Sequence, residues 1–123
     1  METNNLTQTI IGLAIEVHKT LGPGLLESSY EACLMYELAE HGIFAQQQAV
    51  LPIHYKGKKI DNGYRVDILI PNQLIIELKA VDKILPIHIA QTLTYMKLSN
   101  IQTGLIINFN ASKLTNGLKR LCL

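Results

Sequence analysis

Leu6, Ile10, Leu13, Val17 and Leu21 recur at spacings of three and four, the period of one apolar face of a helix. Asn5 or Thr7 is placed to cap its start. Gly22-Pro23-Gly24 ends it, because proline cannot continue a helix and glycine accepts unusual backbone angles. A second helix is expected from about Leu25 to Glu40, stopping near Gly42, with Leu26, Tyr30, Cys33, Leu34 and Leu38 among its apolar positions. The period then changes. Ala49 to Tyr55 reads as one extended segment, and Pro52 inside it predicts an edge strand. Lys56-Gly57-Lys58 predicts a hairpin turn. Tyr64 to Ile70 and Leu74 to Val81 read as strands joined by the turn Pro71-Asn72-Gln73.

Pro86 opens a third helix as its first residue, and Ile87 to Leu98 continue it. Thr103 to Phe109 is a further strand. In the tail from Ser112 to Leu123, the residues Leu118, Leu121 and Leu123 fit neither period. The order is two helices, a strand meander, one helix, one strand and a tail. It predicts an α/β fold: a mixed sheet with helices packed against it.

A length of 123 residues fits one domain over 1–123. The 48% apolar content supports a real core and argues against disorder of the bulk of the chain. The formal net charge of +1 argues against a pure nucleic-acid backbone binder, though not against a nuclease, whose acidic site offsets basic residues. Lys56, Lys58 and Lys59 form the clearest basic cluster, either a solvated turn or a phosphate contact. Cys33 and Cys122 show no metal-ligand spacing and read as reduced thiols of a cytoplasmic protein. No apolar run approaches the roughly 20 residues of a membrane span, and the N-terminus lacks signal-peptide features.

The candidate chemistry lies in the two strands around Pro71-Asn72-Gln73. Side chains alternate along a strand, so Glu77 and Lys79 point the same way. In the natural hairpin register Asp67 on the neighbouring strand faces them. Charges among Val66, Ile68, Ile76 and Leu78 are costly unless paired or bound to a metal. One reading is a buried salt bridge with a satisfied extra acid. The other is a set of hard oxygen ligands for Mg²⁺ or Mn²⁺. His88, Gln91 and Tyr95 share one face of the third helix, which alone suits either a site or a polar helix edge. Glu27 and Tyr30 share a face of the second helix, where an early Glu is often a dipole or capping residue.

Gly24-Leu25-Leu26-Glu27-Ser28-Ser29-Tyr30 resembles the pattern that names the GxxExxY proteins, a bacterial and archaeal group in the PD-(D/E)XK nuclease superfamily. The resemblance runs from Glu16-Val17-His18 through Tyr64-Arg65-Val66-Asp67, Glu77-Leu78-Lys79-Ala80 and Gln91-Thr92-Leu93-Thr94-Tyr95 to Asn108-Phe109-Asn110. The ordered motif set is also similar to the RecB-type exonuclease branch. One departure is Val66, which stands where the superfamily's name places proline before the aspartate.

The resemblance implies a restriction-endonuclease-like mixed sheet flanked by helices. It implies Asp67, Glu77 and the Leu78 carbonyl as metal ligands, with Glu27 completing the acidic cluster directly or through water. Lys79 orients the attacking water or stabilises charge at phosphorus, and Gln91 and Tyr95 brace the site or touch the substrate backbone. Tyr30, Arg65 and His88 are the expected substrate contacts and His18 and His54 further candidates, with a structural or solvated reading standing beside the functional one for His18, His54 and Arg65. The expected function is Mg²⁺- or Mn²⁺-dependent hydrolysis of phosphodiester bonds, of DNA in preference to RNA. The alternative is a catalytically silent module that binds nucleic acid or a protein partner. A symmetric homodimer would lengthen the groove of so small a domain.

Overall fold

A computed structural model describes residues 2–123. Helix α1 spans Thr3–Leu21 and buries Leu6, Ile10, Leu13 and Val17 of the stripe its period predicts, together with Ala14, while Leu21 at the helix end is exposed. Neither Asn5 nor Thr7 caps it. The N-cap is Glu2, without a side-chain hydrogen bond, and the Thr7 hydroxyl turns back to donate to the Thr3 carbonyl at 2.8 Å. Helix α2 spans Glu27–Glu40, two residues shorter at its start than expected. Leu26 is its N-cap and lies 75% exposed, so it belongs to the approach to the helix and not to its packed face.

The expected strand over Ala49 to Tyr55 is two strands. Strand β1 (Gln46–Val50) belongs to the main sheet, and β2 (Ile53–Tyr55) pairs with β3 (Lys58–Ile60) in a separate hairpin. Pro52 lacks a backbone N–H, so the ladder breaks there. The hairpin turns at Lys56 and Gly57, both at positive φ, as a tight two-residue turn of this hand requires. Next come β4 (Arg65–Ile70), β5 (Leu74–Lys79), α3 (Pro86–Ser99), β6 (Thr103–Asn108) and β7 (Leu118–Cys122), the last preceded by a short 3-10 turn over Leu114–Gly117. The tail is therefore an edge strand. Its pattern escaped the period because only Leu121 is deeply buried, while Lys119 and Arg120 both face out.

The five-stranded sheet has the order β1-β4-β5-β6-β7. All neighbours are antiparallel except β5 and β6, which run parallel because α3 carries the chain across between them. The two faces bury different residues. Ile68, Ile70, Leu74, Ile76, Leu78, Leu105 and Ile107 pack with α1 and α2. Ile75 and Ile106 pack with Tyr95 and Met96 of α3. Gly104 permits that second contact, since a Cβ there would lie 2.6 Å from the Met96 sulfur. Both faces of the central strands are covered, so a charged side chain on β5 can be stable only with a specific arrangement around it.

Candidate metal and phosphodiester site

The β4–β5 hairpin turns through Pro71-Asn72-Gln73, with the Gln73 N–H donating to the Ile70 carbonyl at 3.0 Å and Asn72 at φ 65°. Its register pairs Ile70 with Leu74 and Ile68 with Ile76. One step further the main-chain ladder stops. There the Asp67 side chain takes over, its Oδ2 accepting the Leu78 N–H at 2.8 Å. The two strands part at the point where Asp67 and Glu77 lie opposite each other.

Glu77 is 6% exposed. Burial first, then a hydrogen bond and charge from Asp67, push its carboxyl up to about 9. Lys79 pulls the other way and does not offset them. Glu77 is therefore protonated at neutral pH, which lets two adjacent carboxyl groups share a proton in place of repelling each other. Its Oε1 is still buried without a partner, the one such side-chain oxygen or nitrogen among the described residues. An unpartnered buried acceptor costs about 1–3 kcal/mol. A cation or a water bound there would remove that cost.

The Leu78 backbone adds a donor to this set. The Phe109 N–H bonds the Lys79 carbonyl, so odd residues of β5 address β6 at this end. N–H and C=O of one strand residue point to the same edge. The Leu78 N–H points to Asp67, and its carbonyl lies on that side too. Two carboxylates and a carbonyl are hard oxygen ligands, and Mg²⁺ is commonly held by one or two carboxylates together with substrate phosphate.

Helix α3 closes the site from one side. Tyr95 is mostly buried, and burial raises its hydroxyl, with the charge of Glu77 as the next cause and that of Asp67 a smaller one. Gln91 Nε2 donates to the Tyr95 oxygen at 3.0 Å, which leaves the tyrosine proton free to donate elsewhere. Lys79 follows Glu77 on the same side of β5 and is half-buried. The structure thus gathers Asp67, Glu77, Lys79, Tyr95 and Gln91.

Other expected residues lie elsewhere. Glu27 sits exposed at the start of α2, where its Oε2 accepts the Ala80 N–H at 3.4 Å. Among the described residues no group of three or more His, Cys, Asp and Glu converges on a metal position, so the expected third carboxylate is not assembled with Asp67 and Glu77. Tyr30 is 0% exposed and has no surface to offer a substrate. It stacks on Phe109 with ring centroids 4.4 Å apart, donates to the Gly22 carbonyl at 2.5 Å and accepts the Leu25 N–H at 3.1 Å. Its hydroxyl ties down the Gly22–Leu25 turn that delivers α2 and Glu27. His88 Nδ1 accepts the Leu85 N–H at 3.0 Å and caps α3. Arg65 is exposed, with Nη1 on its neighbour's carbonyl. His18 is buried, its Nε2 2.8 Å from the Ala111 carbonyl, a structural anchor for the loop after β6. Sequence reasoning did not single out Gln48, which touches the site by donating to Asp67 Oδ1 at 3.3 Å, or Glu31, which holds Gln48 through its Oε1 at 2.7 Å.

The model of the PD-(D/E)XK nuclease superfamily matches residues 4–121, almost the whole chain. No curated protein and no solved structure matches.

Proposed function

Because the chain belongs to the PD-(D/E)XK nuclease superfamily, we propose that it hydrolyses phosphodiester bonds with Mg²⁺ or Mn²⁺ held by Asp67, Glu77 and the Leu78 carbonyl. The observation that carries this reading is the carboxyl pair, in which buried Glu77 keeps an unpartnered oxygen beside half-buried Asp67. The bound cation supplies a Lewis acid for the phosphoryl oxygen. The chain's own residues do the rest. Asp67 is held rigid by the Leu78 N–H. Lys79 places a positive charge beside the acids, where it can steady the negative charge that grows at phosphorus. Tyr95, aligned by Gln91, has a proton available for a non-bridging or leaving oxygen. Glu27, outside the carboxyl pair, is set to act through water.

The substrate is proposed to be DNA. The Gly24–Tyr30 segment supports placing the chain among the GxxExxY proteins. The free thiols of Cys33 and Cys122 fit a cytoplasmic setting. Among the described residues no helix is long and apolar enough to cross a membrane.

The test is incubation of the protein with single- and double-stranded DNA and RNA under Mg²⁺, Mn²⁺ or chelator. Cleavage of DNA that needs a metal and stops with chelator is the expected result. Cleavage of nothing under any metal would overturn the enzymatic reading in favour of a silent nucleic-acid or protein-binding module.

A further inference from the structure

Strand β1 is an edge strand with three consecutive glutamines, Gln46, Gln47 and Gln48. Gln47 pairs with Ile68 and Ala49 with Val66, which sets Gln48 across from Asp67. Gln48 has φ 50°, a left-handed conformation inside a strand. A residue with a Cβ is strained there, whereas glycine would be at ease. The strain aims the side chain. Gln48 Nε2 donates to Glu31 Oε1 at 2.7 Å and reaches Asp67 Oδ1 at 3.3 Å. Glu31 is 7% exposed, and its other oxygen accepts from Gln47 Nε2 at 2.7 Å. Two amides thus satisfy a buried carboxylate that the proposed chemistry does not use. One amide carries two hydrogens, enough to serve both acids at once. Asp67 is then gripped on both oxygens, by the Leu78 N–H on one and Gln48 on the other.

We propose that Gln48, anchored by buried Glu31, is a positioning residue that fixes the Asp67 carboxylate for cation binding. The inference rests on the metal-dependent reading above. Groups that orient a metal ligand commonly change affinity ten- to a hundredfold when removed. A residue that serves only the fold changes stability and leaves the affinity of the folded protein alone. Gln47 supplies the comparison, since it bonds Glu31 without touching Asp67.

The experiment is calorimetric titration of Mn²⁺ into metal-free wild type, Gln48→Gly, Gln48→Asn and Gln47→Ala, well below each melting temperature, with melting of the same preparations. Gln48→Asn tolerates the left-handed backbone but is too short to span both acids, so it carries the test if the glycine variant folds poorly. Roughly tenfold or greater loss of affinity in the Gln48 variants is expected, with Gln47→Ala within about twofold of wild type. Wild-type binding that is unchanged in the Gln48 variants, or lost equally in Gln47→Ala, overturns the positioning role and leaves the metal reading standing. A wild type that binds no Mn²⁺ overturns both.

Discussion

Lys79→Met is expected to keep the fold while slowing cleavage by about a hundredfold or more, the loss typical of a removed transition-state contact. The usual objection is that deleting a buried cation strands its acid, at a cost of about 3–5 kcal/mol. Here the acid is Glu77, which burial and Asp67 keep protonated at neutral pH. In the metal-free protein Lys79 has no Glu77 charge to neutralise, and the pair's remaining negative charge lies on half-buried Asp67, which keeps the Leu78 N–H and Gln48 as hydrogen-bond partners when Lys79 is removed. With metal bound, the cation neutralises the acids. In neither state does the fold depend on the ammonium, and the melting temperature should move by only a few degrees. Melting and cleavage rate, measured on one preparation, check this. A variant that melts early yet cuts at the normal rate per folded molecule would remove Lys79 from the chemistry.

The second large effect is on stability against pH, and it follows from Glu77. Its carboxyl moves from an ordinary 4.5 to about 9 on folding. Below 4.5 it is protonated in both states, and its contribution is complete. Between 4.5 and 9 the unfolded chain gives up the proton and the folded one retains it. Unfolding then releases a proton, and stability falls as pH rises, by up to about 1.4 kcal/mol per pH unit, levelling off above 9. Glu77→Gln removes this slope. Without metal at about pH 8 the variant should therefore melt higher than wild type, by several degrees or more. Added Mn²⁺ should reverse the order, because only wild type gains the stabilisation that tight binding confers. Melting curves across pH 5 to 9, with and without Mn²⁺, give both results. A wild type whose melting temperature is flat over that range would contradict the buried protonated carboxyl.

Much of this site could be read from the chain because the relevant signals are local. The run of apolar residues around Pro71-Asn72-Gln73 sets a hairpin, the hairpin sets a register, and the register puts Asp67 against Glu77. The helix stripe of Gln91 and Tyr95 is equally local, four residues apart. What escaped depends on contacts distant in sequence. Glu27 and Glu31 lie on the same helix one turn apart, and only the packing of α2 on the sheet decides that Glu31 is the buried one. Gln48 sits in a polar run that resembles a loop, and its role needs a left-handed backbone angle and a helix 17 residues away. Tyr30 shares a helix face with Glu27 in the pattern, but its ring is fully enclosed against Phe109, which lies on the far side of the chain. The tail defeated periodicity because an edge strand with one deeply buried residue carries almost no period.

The most direct test of the central claim is the uptake of Mn²⁺ by Asp67 and Glu77, followed by titration calorimetry near neutral pH in two buffers of different ionisation heat. A metal can use Glu77 only after its proton leaves, so binding should release about one proton per site, and affinity should rise with pH up to about 9. Glu77→Gln should bind more weakly and release none, and Asp67→Asn should bind more weakly. Equal affinity in wild type and both variants, or metal uptake with no proton released, would contradict the account.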